Sequence, residues 1–384
     1  MQITKITAIP LHVPVSLEIR GQPRQTSLSV CLCCIDTDQG LQGWGLTGIT
    51  EEEVIHTLIE KIAGPALLGQ DPLATEALWE KLYWLLTPRG QGGYASHAMS
   101  AIDIALWDIK AKAAGMPLWM LLGAARSRVP VYVTFGFGFM DQDDLVHAAR
   151  GWVEQGFDRL KMTVGSHALS RRDEPRDIGQ VILKDIERVR AVRQAVGERV
   201  ELYVDANCGL DGLHARALAL ELKAHGVKFF EEPIANNDVI QLRQLRHATG
   251  MPIAAGQNEG QIVRFREMLL AQAIDVAQPN VCISGGYTQS IRIAALARAF
   301  GVPIDNGGAW PFHNMHLHAG LACGGMVEHH VVAVEVLKRI YDDLPVPVAG
   351  WLQLPDQPGL GFEPNLGRIQ SLALHPLSAG KGKA

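Results

Sequence analysis

The runs LYVDAN (residues 202–207), FFEEP (229–233) and PIAAGQNE (252–259) decide the fold. Each is an apolar, strand-like stretch that ends on an acidic or amide side chain: Asp205, Glu231 and Gln257. They succeed one another at about one strand-plus-helix interval, and LKMTVG (160–165), one interval upstream, brings in Lys161. A closed barrel of parallel strands gathers such strand-end side chains into one mouth. A divalent cation held by oxygen ligands beside a lysine is suited to removing a proton alpha to a carboxylate and stabilising the resulting enediolate.

The pattern extends outward from these runs. Strand-like segments at VPVYVTF, FDRLKMTV, VELYVDA, VKFFEEP, PIAAGQ, IDVAQP, VPIDNG and MVEHHVVA alternate with charged amphipathic helices, the signature of right-handed crossovers in a parallel sheet. Eight strands with seven helices over roughly 210 residues is the size of a TIM barrel, whose site lies at the C-terminal strand ends. A doubly wound open sheet would need a glycine-rich phosphate turn, and FGFGFMDQ has Asp141 where the third glycine belongs. Before the barrel, ITKITAIPLHV and SLSVCLCCIDTDQG read as strands, and EEEVIHTLIEKIAGPALL, ATEALWEKLYWLL and SHAMSAIDIALWDIKAKAAG as helices, the last closed by Gly115 and Pro117. The expected fold class is α/β, a modified TIM barrel with an α+β N-terminal capping domain. Its expected divisions are 1–125 for the cap, 126–350 for the barrel and 351–384 for a C-terminal return ending in the polar AGKGKA.

Bulk properties narrow the function. A chain of 384 residues exceeds the usual limit of one core. Its net charge of -5 disfavours a nucleic-acid or anionic-membrane partner. No apolar run reaches membrane length, and the N-terminus alternates like a strand rather than starting as a signal peptide does. Six cysteines without paired CxxC spacing, three of them crowded at Cys31, Cys33 and Cys34, are expected to be reduced and mostly buried in a cytoplasmic protein.

The candidate residues weigh as follows. Asp205 and Glu231 follow strand residues that should be buried, where a charge is costly unless paired or bound to metal. Glu232, next along, is expected to point away and be structural. Lys161 near a cation has its pKa lowered, while neighbouring carboxylates raise it. His313, His316 and His318 do not share one helix face, which argues against a three-histidine zinc site, and His313 is the choice for general acid. On the eighth strand His329 and His330 alternate, so one at most lines the barrel; His97 reads as helix-start polarity. Arg20 and Arg24, in the polar segment EIRGQPRQTS, are expected to form a lid that holds the distal end of a polar substrate.

Taken together, AIDIALWDIKAKAAGMPLWMLLG (101–123), LKMTVG, VDAN, EEP, AAGQNE, QPNVCISGG (278–286) and PGLGFEPN (358–365) resemble the enolase superfamily, in the subgroup of mandelate racemase and the acid-sugar dehydratases. The resemblance spans almost the whole chain. It implies a capping domain over the barrel, packing of the C-terminal stretch on that cap, and a magnesium ion held at Asp205, Glu231 and Gln257. Departures from the family pattern carry information too. The second lysine of Lys-x-Lys is Thr163, the third metal carboxylate is the amide Gln257, the sixth-strand aspartate is Asn280, and the seventh-strand histidine aligns with Gly307. Thr163 and Asn280 are therefore expected to bind substrate instead. Two carboxylates neutralise a dication, so the metal should depend more on a substrate carboxylate; Gln257 is expected as a weak or indirect ligand, with Glu259 as the alternative. The implied reaction is dehydration of a sugar acid by Lys161 along a one-base route, with proton return from His313 or water. A cycloisomerase, an epimerase or racemase, and an inactive ligand-binding relative are the alternatives. The expected partners are a small-molecule carboxylate and further copies of the chain.

Overall fold

Alternating apolar residues at the N-terminus build one long hairpin. Strands β1 (Ile3–Ile19) and β2 (Gln22–Thr37) pair antiparallel and turn on Arg20 and Gly21, both at positive φ. The segment expected as a lid is thus ladder, with Leu17 opposite Arg24. Strand β3 (Gln42–Gly48) completes the sheet. Helices α1 (Glu52–Leu58) and α3 (Tyr94–Ala113) pack on it, and α2 (Thr75–Gly90) packs on α3. Close approach of α3 requires Gly43 and Gly45, since a Cβ at either would strike the carbonyls of Ala105 or Ala101. Strand β2 is buried on both faces: Cys31, Cys33 and Ile35 join the helical core of the cap, while Val30, Leu32 and Cys34 join the core shared with the barrel. All six cysteines are free, and burial pushes the Cys31, Cys33 and Cys34 thiols up.

This computed structural model describes residues 1–90, 92–165 and 177–376, so the AGKGKA end lies outside the described residues. Among them no helix is long and apolar enough to cross a membrane.

The barrel strands are β4 (Arg128–Gly136), β5 (Arg159–Thr163), β6 (Glu201–Asp205), β7 (Val227–Glu231), β8 (Ile253–Ala255), β9 (Val276–Ala277) and β10 (Val327–His330); β4 to β9 pair parallel in this order, and β10 pairs parallel with β4. The seventh barrel strand is reduced to Ile304 bridging Ala277, and Asn306 N–H donating to the Met326 carbonyl closes the circle. Helices α4 (Gln142–Glu154), α5 (Ile178–Val196), α6 (Gly212–Ala224), α7 (Val239–Thr249), α8 (Ile262–Leu270), α9 (Gly286–Ala299), α10 (Pro311–Gly320) and α11 (Val331–Ile340) surround it. Four of them start from aspartate N-caps at 141, 177, 211 and 238, whose side chains accept from the first-turn N–H groups that lack helical partners. The eighth strand ends earlier than MVEHHVVA suggests, because His330 caps α11.

Tyr132, Tyr203, Phe229 and Ala254, with Val276 and Met326, plug the barrel floor. After the barrel, β11 (Trp351–Gln353) pairs antiparallel with β4. The chain then returns to the cap, where Leu360 N–H donates to Asp108 and Leu374 N–H to the Pro10 carbonyl.

Candidate active site

Alternation along the strands sets a polar layer directly above the aromatic floor. Lys161 lies beside Tyr203 and Thr134, Asp205 beside Thr163 and Glu231, and Glu328 beside Tyr132. The structure therefore brings together Lys161, Asp205, Glu231 and Gln257, and adds Glu328. Lys161 Nζ stands 2.7 Å from Glu231 Oε2, 3.0 Å from Glu328 Oε1 and 3.5 Å from Asp205 Oδ2, and 5.2 Å from the centre of the Tyr132 ring. Asp205 Oδ1 accepts from Asn207 N–H at 2.7 Å and its Oδ2 from Gln257 Nε2 at 3.1 Å. Glu328 is held by the Thr134 hydroxyl at 2.6 Å and by Ala309 N–H at 2.7 Å. Glu231 Oε1 is buried and has no donor among the described residues.

Burial alone pulls the Lys161 pKa down, but Glu231, Glu328 and Asp205 outweigh it and hold the ammonium form. For Glu231 burial prevails and raises the pKa, against the pull of Lys161. For Glu328 burial is overcome by Lys161, His330, the Thr134 hydroxyl and Ala309 N–H, which together keep the carboxyl below its usual value.

Glu232 departs from strand alternation. Its φ of 38° turns the chain, so the buried carboxylate stays near Gln257 instead of leaving the site. It accepts from Asn237 Nδ2 at 2.9 Å, from Gln257 Nε2 at 3.3 Å and from Asn258. Burial and the Asp205 charge raise its pKa. Four buried carboxylates, Asp205, Glu231, Glu232 and Glu328, thus gather here, and three of them, Asp205, Glu231 and Glu328, meet the Lys161 ammonium. That excess of negative charge, with the orphaned Glu231 Oε1, fits an added hard cation. Among the described residues no three His, Cys, Asp or Glu side chains are arranged as a ready metal cluster. Gln257, the residue expected as third oxygen donor, turns its amide Nε2 toward Asp205 and Glu232. Glu259 is not available as the alternative, because Arg264 holds it at 3.1 Å and Asn237 Nδ2 at 3.0 Å.

Several expected site residues are placed differently. His313 lies on α10 against Tyr341 and Phe362, with ring centroids 5.8 and 5.3 Å away. Its fully buried ring is pushed down to about 3, a neutral group in an aromatic pocket rather than an acid beside Lys161. Asn280 donates to the carbonyls of Gly307 and Gly308 at 2.7 and 2.9 Å and accepts from Cys282 N–H and Asn314, so it braces the seventh-strand loop and has no group left for substrate. Thr163 faces the mouth, but its hydroxyl donates to the Gly136 carbonyl at 2.7 Å. Arg20 sits 3.7 Å from Asp143 and Asp144, and Arg24 3.8 Å from Asp144; the hairpin tip is tied to the start of α4 instead of reaching over Lys161. His97 is half-buried and bonded to Thr47 at 2.6 Å in the cap.

Glu328 is legible in VEHH as an acidic position on the same strand face as His330, two residues on. His329, between them, packs outward on Trp152 and Phe157.

Comparison with known proteins agrees with this architecture. Residues 3–123 match the mandelate racemase / muconate lactonizing enzyme N-terminal domain, and residues 144–368 the family described as enolase C-terminal domain-like. The chain is 30% identical to arabinonate dehydratase of Saccharolobus solfataricus, over 85% of this chain and 86% of that protein. It is 31% identical to D-galactarolactone cycloisomerase of Agrobacterium fabrum, over 94% and 97%. A crystal structure of L-talarate dehydratase from Polaromonas sp. JS666, complexed with Mg and L-glucarate, superposes with a TM-score of 0.83 at 29% identity, covering 97% of each chain.

Proposed function

Because the chain belongs to the mandelate racemase / muconate lactonizing enzyme family of the enolase superfamily, we propose that it is a magnesium-dependent lyase that dehydrates a sugar acid. The observation that carries this reading is the Lys161 ammonium set among Asp205, Glu231 and Glu328 in the polar layer of the barrel. Asp205, Glu231 and the Gln257 amide would hold the ion. Magnesium supplies positive charge that acidifies the carbon alpha to a carboxylate and steadies the enediolate.

The chain's own residues supply the proton chemistry. With Asp205 and Glu231 engaged elsewhere, Lys161 keeps Glu328 as its carboxylate partner and releases its proton more easily. The neutral amine takes the alpha proton, and the C–H electron pair moves into the enediolate. The enediolate then expels the beta hydroxyl, which leaves as water with the proton carried by Lys161. Glu328, anchored by Thr134 and Ala309, keeps the amine oriented in both steps. The resulting enol rearranges to a 2-keto acid. This one-base route requires nothing from the seventh strand, where Gly307 offers no side chain.

A cycloisomerase uses the same enediolate, and the 94% coverage of this chain by similarity to a galactarolactone cycloisomerase favours it as the second reading. Incubation with magnesium and a panel of aldonic and aldaric acids in D2O tests both. The expected result is deuterium at the alpha carbon or loss of water in the wild type and neither in Lys161→Ala. Ligand binding without exchange or product across the panel overturns the enzymatic reading in favour of a ligand-binding relative.

A further inference from the structure

The polar layer continues around the barrel, and just past the end of the sixth strand it includes Gln278. Val276 packs into the aromatic floor, and Gln278, two residues on, lies on the same inward face. Its backbone N–H still donates to the Ala255 carbonyl, so the ladder fixes where the side chain points. Gln278 is fully buried, yet neither Oε1 nor Nε2 has a partner among the described residues. Beside it is the other orphan of the layer, Glu231 Oε1: a Cβ added to Gly307 would lie 2.8 Å from Gln278 Nε2 and 2.9 Å from Glu231 Oε1. The seventh strand thus approaches the sixth-strand amide without offering it a hydrogen-bonding side chain. A buried primary amide with both ends unmet is costly, and such groups in native structures point to a ligand or an ordered water.

The geometry points to Gln278 as a substrate-positioning residue whose amide pairs with a vicinal diol of the bound acid. This rests on the sugar-acid reading above and names how that site chooses its substrate. An amide edge offers one acceptor and one donor side by side, and a diol answers both, one hydroxyl donating to Oε1 and its neighbour accepting from Nε2. A second carboxylate offers only acceptors, so it answers Nε2 but leaves Oε1 without a donor. Gln278 therefore favours hydroxylated carbon over further negative charge on this side of the mouth.

Gln278→Met keeps the length of the side chain and removes both hydrogen-bonding groups. Thermal shift of the magnesium-loaded protein is read against galactarate, D-galactonate and L-arabinonate, and against adipate, hexanoate and pentanoate, the unhydroxylated acids of the same chain lengths. The expected result is that the variant weakens the best hydroxylated ligand by about 10- to 100-fold and leaves its unhydroxylated counterpart within about twofold. The ligand-free midpoint and the magnesium titration should not fall, because no internal bond is lost. A ligand-free midpoint lower by more than about 3 °C shows an internal structural role and overturns the inference. Equal weakening of both ligand classes, or of neither, overturns it as well while leaving the sugar-acid reading standing. If the wild type responds to none of the hydroxylated acids, that reading falls and takes this one with it.

Discussion

Lys161 Nζ and Glu231 Oε2 meet at 2.7 Å, and neither residue is exposed to solvent. The lysine thus lends a positive charge to carboxylates that would otherwise repel one another. Lys161→Met should cost about 3–5 kcal/mol near neutral pH, the usual penalty for stranding a buried partner. Because Glu231 already has a raised pKa, losing the ammonium raises it further. A raised carboxyl contributes stability below its unfolded value and loses it as pH climbs, so the deficit should grow from pH 5 to pH 8. Urea denaturation across that range measures it, and a deficit that shrinks with rising pH contradicts the arrangement.

Gly307→Ala tests the crowding around the same carboxylate. The new Cβ would sit 2.9 Å from Glu231 Oε1 and 2.8 Å from Gln278 Nε2. Overpacking of this kind costs about 1–3 kcal/mol. Displacement of Glu231 should also weaken magnesium binding, which calorimetric titration reads directly; unchanged stability and affinity would show that the loop yields.

His313→Leu separates a buried histidine from a catalytic one. The wild-type ring is held down to about 3, against roughly 6.5 in an unfolded chain. Its neutral form is compatible with folding above the unfolded value, and stability is lost as pH falls toward the folded one. At pH 5 that loss is about 2 kcal/mol. The stability difference between wild type and variant should therefore move by about that amount in favour of the leucine variant between pH 7.5 and pH 5. Turnover should stay within about threefold, since no group of His313 reaches the Lys161 cluster. Loss of activity with the fold intact restores the histidine to the mechanism.

Arg188 supports the mouth from outside. Its guanidinium donates to the carbonyls of Gly136, Phe137 and Thr163 and to Asp185. Arg188→Leu strips the first two barrel-strand ends of these donors and takes from Asp185 its cationic partner, leaving the Gly165 N–H bond in place. The expected cost is about 2–3 kcal/mol, with a rise in KM exceeding any fall in kcat as Thr163 loses its fixed position. Denaturation and steady-state kinetics check the two effects together.

The barrel was legible because strand length and charged helices repeat at one interval, and Lys161, Asp205, Glu231 and Gln257 stand where that interval places them. What escaped the sequence depends on departures from regular strands. Glu232 stays in the site because its backbone adopts a positive φ, which strand alternation cannot announce. Asn280 reads as a substrate ligand because it stands where the resembled family places a sixth-strand aspartate, but the loop at Gly307–Gly308 takes its donors. Arg20 and Arg24 read as a lid since polar segments usually loop, whereas strand pairing continues to the turn and sets them against Asp143 and Asp144. His313 shows the limit of residue type as a guide, because burial among aromatic rings keeps the imidazole neutral and removes the cationic form that would donate a proton near neutral pH.

Strand β2 gives one face to the cap's helices and the other to the core shared with the barrel. The two lobes are therefore stitched by a common seam and should melt in one calorimetric event. Admission of a ligand must then come from loops rearranging at the rim, since prying the lobes apart would expose that whole strand to water.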